Sequence, residues 1–431
     1  MTPSEVLPRI RRYDDALRAF ARVFDTPLSA GGGGPTFAIK DLFDVAGVPT
    51  GGGARTPLAP SPDHHAVAVQ RLLDAGWTAV GKTQTVELAY GGWGTNRAVG
   101  APRNPWDAKV GRVAGGSSSG SAVAVAVGFC DAALGSDTGG SVRIPAATCG
   151  VVGLKPGRGL VSLLGVHPLS PSLDTVGVLA RDVATAAHVL AIVSGPDGAA
   201  ATRDPFDAEA ALSRATGGLR LAAMPRSALD PLDPDVARLY REALDRLGEA
   251  GFEVVEAPPP AAFDESFTSN GLLMAGEGWR IWGARIAALA HEMDPWIVRR
   301  FEVGREINDE RLERAHHERE ASQAAVHRWM AGFDGLVSPT CPIPAASFAD
   351  VDETVSPLSR LTRAANYLDL PGISVPCGLT SPGLPVGLQI LGRPGDEAGV
   401  VAIGAAFERV SRWNGRAPDL AGFAAQAPIP R

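Results

Sequence analysis

Apolar and polar residues follow two different spacings along the chain, one typical of helices and one typical of strands. Apolar positions three or four residues apart predict helices over 4–24, 66–75, 83–90, 233–251 and 296–332. Short apolar runs bounded by Gly, Pro or polar residues predict strands over 36–45, where a turn is included, and over 77–80, 335–337, 373–375 and 386–391. Helices and strands that alternate in this way predict an α/β fold.

The chain shows no internal repeat and no long low-complexity linker. We therefore expect a single domain over 1–431, with a short helical arm at 1–34 and a variable helical section at about 195–330. Between about 95 and 185 the sequence is dense in Gly, Ser, Ala and Pro and contains few charges. Such a composition is typical of a tightly packed region where backbone approaches a ligand closely.

Composition and charge exclude several classes of protein. The 431 residues are 45% apolar and 20% charged, which is enough to bury a large core. The net charge of −7 argues against direct binding of nucleic acid. The first residues contain no apolar signal segment, and no apolar run reaches the roughly 20 residues of a membrane span. We expect a soluble, cytoplasmic protein without membrane contact, and a possible homodimer.

The cysteines and lysines are few and informative. Four scattered cysteines show no CxxC and no Cys/His ligand spacing, so we expect reduced, buried thiols and neither a metal nor a cofactor. Of the 40 basic residues only four are lysines: Lys40, Lys82, Lys109 and Lys155. Arginine can replace lysine wherever only a solvated charge is needed, so these four positions are where a need for an amine should be sought first.

One short motif matches the phosphate-binding loop GxxxxGK[ST]. It runs from Gly76 through Gly81 and Lys82 to Thr83. That loop requires a strand before it, exposed backbone amides within it and a helix after it. Here the preceding segment has helical spacing and the loop interior is apolar, so a nucleotide-binding function is disfavoured and Gly76 is expected to end a helix.

A second short motif matches the nucleophile elbow GxSxG. It spans Gly116 to Gly120, with Ser118 as the nucleophile, and an Ala/Val-rich helix is expected to follow. An α/β-hydrolase also needs an acid and then a histidine downstream. His167, His188, His291, His316, His317 and His327 are available by position, but none lies in a conspicuous turn. This alternative stays open at this point.

A longer constellation carries more weight than either motif. It comprises Phe37-Ala-Ile-Lys40-Asp41, Gly115-Gly-Ser117-Ser-Ser-Gly-Ser121, Gly135-Ser-Asp137-Thr-Gly-Gly-Ser141-Val-Arg143-Ile-Pro-Ala and Gly150-Val-Val-Gly-Leu-Lys155-Pro, with further matches at Ser338-Pro-Thr340, 370–376 and 383–392. In these segments the chain resembles the amidase signature family. The resemblance covers most of the chain outside the first 35 residues and the section at 195–330.

The resemblance implies a fold and a mechanism. It implies an α/β fold with a large mixed, mainly parallel sheet covered by helices on both faces. It assigns Lys40 as the base, Ser117 as the bridging serine and Ser141 as the nucleophile. It also implies that the peptide bond before Ser117 is cis. A lysine can serve as a base only when its pKa falls well below the usual value of about 10.4, which the apolar neighbours of Lys40 favour.

Residues around the triad have expected supporting roles. Backbone amides of Thr138, Gly139, Gly140 and Ser141 are candidates to bind the substrate oxyanion, since the two glycines let the backbone come close. Structural roles are expected for the other serines of 118–121, for a salt bridge between Asp137 and Arg143, and for Lys82 and Lys155, whereas Lys109 should be a surface residue. Tyr90 and Trp93 could line the acyl pocket or simply pack in the core, and Trp279, Trp282 and Trp296 could form a lid or pack.

Four functions remain open at this point. The first is a stand-alone hydrolase of a small to medium carboxamide, urea or carbamate, acting through an acyl-enzyme. The second is the amidase subunit of a tRNA-dependent amidotransferase, in which a partner subunit binds the tRNA. A nucleoside triphosphatase and a catalytically inert binding protein are the other two. The presence of all three triad residues disfavours the inert protein.

Overall fold

The computed structural model describes residues 2–31, 33–199, 201–411, 413 and 416–424. Within these ranges lie eleven strands: β1 (Phe20–Leu28), β2 (Thr36–Lys40), β3 (Thr78–Thr83), β4 (Ala132–Asp137), β5 (Val152–Lys155), β6 (Thr175–Ala180), β7 (Arg220–Ala223), β8 (Glu253–Glu256), β9 (Gly335–Pro339), β10 (Gly372–Leu379) and β11 (Pro385–Leu391).

The same ranges contain fourteen α-helices: α1 (Pro3–Leu17), α2 (Val67–Asp74), α3 (Ser119–Ala126), α4 (Arg143–Cys149), α5 (Val183–Val193), α6 (Ala208–Ser213), α7 (Arg226–Leu229), α8 (Pro234–Glu249), α9 (Ala261–Leu289), α10 (Pro295–Arg305), α11 (Asp309–Met330), α12 (Arg363–Tyr367), α13 (Glu397–Ser411) and α14 (Ala421–Ala424). Short 3-10 turns occur at Glu87–Ala89, Ala290–Glu292, Phe348–Asp350 and Pro357–Ser359.

The eleven strands form one sheet in the order β1-β3-β2-β4-β6-β5-β10-β11-β9-β7-β8. The predicted α/β class and the large mixed sheet are confirmed. Parallel pairing has a smaller share than expected: β2 pairs in parallel with β3 and β4, and β7 with β8 and β9, while the other described pairings are antiparallel. The strands β10 and β11 illustrate why, because a tight turn joins them and such a turn connects only antiparallel neighbours.

Helices cover both faces of the sheet, as the resemblance implies. In β2, Phe37 and Ile39 pack into a core shared with α2 and α5, whereas Ala38 packs into a second core shared with α3. Successive side chains of a strand point to opposite faces, so a strand buried on both sides must be apolar at every position. This explains why β2 reads as a continuous apolar run up to Lys40.

The predicted helix over 4–24 is too long. Helix α1 ends at Leu17, and Arg18 follows in the left-handed region with φ 54°. The chain then enters β1, where Phe20 lies opposite Thr83 in an antiparallel pairing with β3. Apolar residues of an edge strand can mimic helical spacing, and it is the pairing with β3 that decides the conformation.

The predicted helix over 83–90 is also wrong. Strand β3 extends through Thr83, and the following segment forms only the 3-10 turn at Glu87–Ala89. Leu88 and Ala89 have φ values of 50° and 60°, which no α-helix allows. The Glu87 carboxylate anchors this turn, since it accepts a hydrogen bond from the backbone N–H of Asp294 at 2.7 Å.

The other predicted elements are present with shifted ends. The helix over 66–75 corresponds to α2 and that over 233–251 to α8, but the region 296–332 contains two helices, α10 and α11. The break falls before Asn308, whose side chain accepts the N–H of Arg311 at 2.9 Å and so begins α11. The strands predicted over 335–337, 373–375 and 386–391 lie within β9, β10 and β11.

Helix α9 is the main feature of the section at 195–330. It runs for 29 residues and packs against α10, α11 and α12. Its buried residues Asn270 and Met274 lie beside the loop that follows β4, which makes α9 a wall of the site described below. No helix among the described residues combines the length and apolar character needed to cross a membrane.

Candidate active site

Lys40 is a fully buried lysine at the carboxyl end of β2. Its Nζ lies 2.7 Å from Ser117 Oγ and 2.8 Å from Ser136 Oγ, at hydrogen-bonding distance from both. Strand β4, which pairs in parallel with β2, supplies Ser136. The adjacent ends of two parallel strands therefore bring a lysine and a serine together with the loop that carries Ser117.

Burial lowers the pKa of Lys40 to about 7, while the negative charges of Asp137 and Asp174 oppose this shift. A substantial fraction of the amine is therefore neutral near physiological pH. A neutral amine can accept a proton from a serine hydroxyl, which an arginine in the same place could not do.

Ser117 lies in a tightly packed backbone segment. The Gly116–Ser117 peptide bond is cis, as the resemblance implies. A β-carbon on Gly116 would approach the carbonyl oxygen of Gly91 to 2.6 Å, so the loop has no room for a larger residue there. The Ser117 carbonyl accepts hydrogen bonds from Val86 N and from Thr85 Oγ1, the latter at 2.9 Å. These contacts hold the serine beneath Lys40.

The neighbouring serines form scaffold contacts, which agrees with the structural roles predicted for them. Ser118 Oγ donates to the carbonyl of Ser136, Ser119 Oγ to the carbonyl of Ser117, and Ser121 Oγ to the carbonyl of Leu134. All three are completely buried, and no strand among the described residues leads into Ser118. The geometry of a nucleophile elbow, with its exposed serine, is absent.

Ser141 lies just before α4 and is 8% exposed. Its carbonyl accepts the N–H of Ser118 at 3.1 Å, so the segments that carry Ser117 and Ser141 are in direct contact. Among the described residues no hydrogen bond joins the two serine hydroxyls. Ser141 faces a cavity of about 220 Å³ whose wall includes Tyr90, Gly139 and Met274.

A buried ion pair shapes the loop from Asp137 to Ser141. Arg143 Nη2 lies 2.9 Å from Asp137 Oδ1, and both side chains are fully buried, which confirms the predicted salt bridge. Burial alone would raise the pKa of Asp137, but the charge and hydrogen bonds of Arg143 hold that pKa well below its usual range. The same carboxylate also accepts the backbone N–H groups of Gly140 and Val142.

The backbone amides of this loop differ in their availability. From the sequence, the amide of Gly140 is expected to bind the substrate oxyanion. Instead, Gly140 N donates to Asp137 Oδ1 at 2.8 Å and is not available to the cavity. Within the described chain no acceptor is bound to the amides of Gly139 and Ser141. Gly140 is needed for its conformation instead: its φ is 123°, and a β-carbon would lie 2.1 Å from Thr362 Oγ1.

Thr138 connects the loop to a second buried carboxylate. Its Oγ1 donates to Asp174 Oδ1 at 2.5 Å, while Asp174 Oδ2 accepts the amides of Leu169 and Ser170. Burial raises the pKa of Asp174 to about 6, although these hydrogen bonds oppose the shift. Thr138 lines the same cavity as Ser141. Asp174 was not predicted as a site residue, although it lies at the end of the resembling stretch.

The phosphate-loop motif does not form a phosphate site. Residues 78–83 are the buried strand β3, and Gly76 follows α2 with φ 83°, as expected for a residue that ends a helix. Lys82 Nζ lies 2.8 Å from Asp41 Oδ1 and donates to Thr50 Oγ1 at 2.9 Å. Lys82 is thus a structural residue, and the nucleotide-binding hypothesis is wrong.

Of the other residues discussed in the sequence analysis, Lys155, Lys109 and Trp93 take structural or surface positions, and Tyr90 does not. Lys155 is buried and donates to the carbonyl of Pro156, and Lys109 lies in an exposed loop. Trp93 donates from Nε1 to the carbonyls of Asp352 and Val355 and packs in a small core. Tyr90 is the exception because it lines the cavity.

The tryptophans of the section at 195–330 pack against neighbouring residues and do not form a lid over the cavity. Trp282 Nε1 donates to the carbonyl of Pro168, Trp279 packs against the core, and Trp296 lies beneath the Arg299 guanidinium. All four cysteines are buried and free, as expected. Within the described ranges no cluster of His, Cys, Asp or Glu could hold a metal ion.

Among the described residues, three charged ones line the cavity, and none of them was predicted from the sequence. Arg300 Nη2 lies 2.6 Å from Glu353 Oε2, so these two charges neutralise each other. Arg363, at the start of α12, is the third. Arg300 and Glu353 belong to segments without a matched motif, so only the fold could bring them to Ser141.

Comparison with known proteins gives consistent results. A family model described as Amidase matches residues 33–401. A glutamyl-tRNA(Gln) amidotransferase subunit from Chloroflexus aggregans is 34% identical over 98% of this chain and 90% of its own length. The protein of the same name from Myxococcus xanthus is 36% identical over 94% of this chain and 92% of its own length.

Solved structures show the same similarity. The 6-aminohexanoate cyclic dimer hydrolase complexed with substrate superposes with a TM-score of 0.86 at 26% identity, over 97% of this chain and 94% of its own. The corresponding glutamyl-tRNA(Gln) amidotransferase subunit from Thermotoga maritima has a TM-score of 0.84 at 30% identity, over 96% and 92% of the two chains. A structure described as an amidase gives 0.83 at 31% identity, over 94% of each chain.

Proposed function

The chain belongs to the amidase family and is an enzyme that hydrolyses carbon–nitrogen bonds, and from that premise we propose that it cleaves small carboxamides through Lys40, Ser117 and Ser141. The observation that carries the proposal is the contact of 2.7 Å between Lys40 Nζ and Ser117 Oγ in a fully buried site. Ser141 borders the adjoining cavity, and its hydroxyl is the nucleophile in this proposal.

The reaction begins with two proton transfers. Neutral Lys40 accepts the proton of Ser117, and Ser117 accepts the proton of Ser141 as Ser141 Oγ bonds to the amide carbon. The carbonyl oxygen becomes an oxyanion, and the free amides of Gly139 and Ser141 are the donors positioned to stabilise it.

Collapse of the tetrahedral intermediate breaks the C–N bond. Ser117 returns a proton to the leaving nitrogen, which departs as ammonia or an amine and leaves an acyl group on Ser141. Water then attacks the acyl carbon and gives up its proton along the same path, which releases the acid. The hydroxyls of Ser117 and Ser141 are not hydrogen-bonded to each other in the described chain, so a small side-chain rotation on substrate binding must complete the relay.

Two biological settings use this chemistry. The relatives named as amidotransferase subunits, which this chain matches over about nine tenths of their length, support a role as the amidase subunit of a tRNA-dependent amidotransferase. In that setting the chain would release ammonia from glutamine, and a partner subunit would bind the tRNA. The cyclic dimer hydrolase of similar fold supports the other setting, a stand-alone hydrolase of amides.

A panel of amides, ureas, carbamates and glutamine tests the proposal by ammonia or amine release. We expect turnover by the wild type and its loss in Ser141→Ala, with a serine-directed phosphonate attached to Ser141 by peptide mass. Full activity of Ser141→Ala, or labelling of Ser118 instead, would refute the mechanism. Turnover of glutamine only after a co-expressed subunit copurifies would favour the amidotransferase role, and rapid turnover of simple amides by the isolated chain would favour the stand-alone role.

A further inference from the structure

Arg363 lies between helix α9 and the loop from Asp137 to Ser141, which is called the nucleophile loop below. It borders the cavity that contains Ser141 and is partly exposed to it. A β-carbon on Gly139 would lie 3.3 Å from Arg363 Cγ, and one on Gly271 would lie 3.0 Å from Arg363 Nη1. The side chain therefore runs past Gly139, one of the two residues whose amides are candidate donors to the oxyanion.

The guanidinium of Arg363 is held in place, but no carboxylate neutralises it. Nε donates to Ser359 Oγ at 3.2 Å, Nη1 donates to the Phe267 carbonyl at 3.0 Å, and the group lies 4.2 Å from the centre of the Phe267 ring. Within the part of the chain that the structure describes, Nη2 has no hydrogen-bond partner and the side chain forms no ion pair. Asp264, which lines a neighbouring cavity with Arg363, is not paired with it.

Arg300 provides the contrast within the same cavity. Its guanidinium is paired with Glu353, whose other carboxylate oxygen accepts Thr95 Oγ1 at 2.5 Å. Among the described residues that line the cavity, the charges of Arg300 and Glu353 cancel. The charge of Arg363 is left without a partner of opposite sign. Burial lowers the pKa of Arg363 to about 10, so this charge persists at neutral pH. A partly buried charge without an ion pair has lost part of its hydration, and an anion that enters beside it offsets that cost.

We propose that Arg363 binds a carboxylate of the substrate, which makes monoamides of short dicarboxylic acids the preferred substrates. The proposal rests on the amidase function proposed above. A guanidinium offers two parallel N–H donors to a carboxylate, and such charge-assisted bonds are among the strongest polar contacts in proteins. The cavity of about 220 Å³ is small, which favours a short acyl chain.

The same charges disfavour substrates that also carry an ammonium group. A desolvated ammonium is stabilised best by a carboxylate, and Glu353, whose carboxylate lines this cavity, already binds Arg300 and Thr95. A free amino acid such as glutamine would bring its ammonium beside a net positive charge. We therefore expect glutaramate, which is glutamine without the amino group, to be the better substrate of the isolated chain.

Steady-state kinetics test the proposal with matched pairs of amides. Succinamate, glutaramate and adipamate are compared with uncharged analogues in which an isopropyl group of the same shape replaces the carboxylate. We expect kcat/KM for the best acid to exceed that of its analogue roughly ten- to hundredfold. Arg363→Gln should abolish this ratio while the uncharged amide is still hydrolysed, Arg363→Lys should restore part of it, and Arg299→Gln, which removes an exposed guanidinium, should leave it unchanged.

A binding measurement tests the role of Arg363 independently of amide hydrolysis. In the Ser141→Ala background, calorimetry should show that glutaramate binds more tightly than its isopropyl analogue, and that Arg363→Gln removes the difference. Equal affinity for the two ligands, or a preference that survives Arg363→Gln, would overturn the role of Arg363. Tighter binding of glutamine than of glutaramate would overturn the selection against ammonium. If the wild type bound glutaramate in this way but hydrolysed none of the amides, only the hydrolase mechanism would be refuted.

Discussion

The amine of Lys40 lies 2.7 Å from Ser117 Oγ and 2.8 Å from Ser136 Oγ, so one buried nitrogen contacts both the loop that carries Ser117 and the end of β4. The contact with Ser136 was not predicted. It leaves the amine little freedom to rotate, and it orients the nitrogen towards Ser117.

The first prediction concerns the chemical identity of the base. Lys40→Arg keeps the positive charge but cannot become neutral, so we expect kcat to fall by about a hundred- to ten-thousandfold. Lys109→Arg, in the exposed loop, should leave kcat unchanged. Amide turnover by the two purified variants, with matching circular dichroism spectra, provides the measurement. Near-normal activity of Lys40→Arg would contradict the role of Lys40 as base.

The second prediction concerns pH. Because burial lowers the pKa of Lys40 to about 7, the neutral fraction of the amine grows as pH rises through that value. We expect kcat/KM to rise through an acid limb with an apparent pKa near 7 and to level off above it. A profile of kcat/KM from pH 5 to pH 9 measures this limb. Activity that is constant down to pH 5 would show that Lys40 does not need to lose its proton.

The third prediction concerns the ion pair of Asp137 and Arg143. Both side chains are fully buried, so Arg143→Met leaves a buried carboxylate without its partner and should reduce the free energy of unfolding by about 3–5 kcal/mol. Urea denaturation measures the loss. Arg226→Gln, which breaks the exposed pair with Asp230, is the matched control and should cost no more than about 1 kcal/mol. Equal effects of the two substitutions would contradict this account.

The fourth prediction concerns the backbone of the nucleophile loop. In Gly140→Ala the new β-carbon would meet Thr362 Oγ1 at 2.1 Å, and the φ of 123° is unfavourable for alanine. We expect at least a tenfold loss of kcat from displacement of Ser141, together with a lower melting temperature. Gly217→Ala, at a site with no heavy atom within 4 Å of the new carbon, should change neither quantity. An active, stable Gly140→Ala would show that the loop tolerates a different path.

The fifth prediction concerns Ser136 as a positioning residue. Ser136→Ala removes one of the two hydroxyl groups in contact with Lys40, so the amine gains rotational freedom. We expect kcat to fall about tenfold with KM unchanged, because the substrate cavity keeps its lining. Ser136→Thr, which retains the hydroxyl, should recover most of the rate. A change confined to KM would indicate that Ser136 acts on substrate binding instead.

Local sequence was sufficient where a residue's role follows from its immediate neighbours. The apolar run before Lys40 predicted a buried strand, and the glycines around Ser117 and Ser141 predicted close-packed loops, because backbone sterics act over a few residues. Helices α2 and α8 and the strands β9 to β11 were likewise predictable from spacing. The same reasoning failed at 18–24 and 83–90, where pairing with β3 and the anchor at Glu87 override the apolar spacing.

Long-range packing decided the rest. Ser136 became a contact of Lys40 only because β2 and β4 pair in parallel, and the amide of Gly140 turned to Asp137 only because Arg143 fixes that carboxylate. The charges of the cavity come from α10, α12 and the loop at Glu353, which are distant in sequence. An uncompensated charge is a property of three-dimensional surroundings, so Arg363 looks like any other arginine until the fold shows which arginines have a carboxylate beside them.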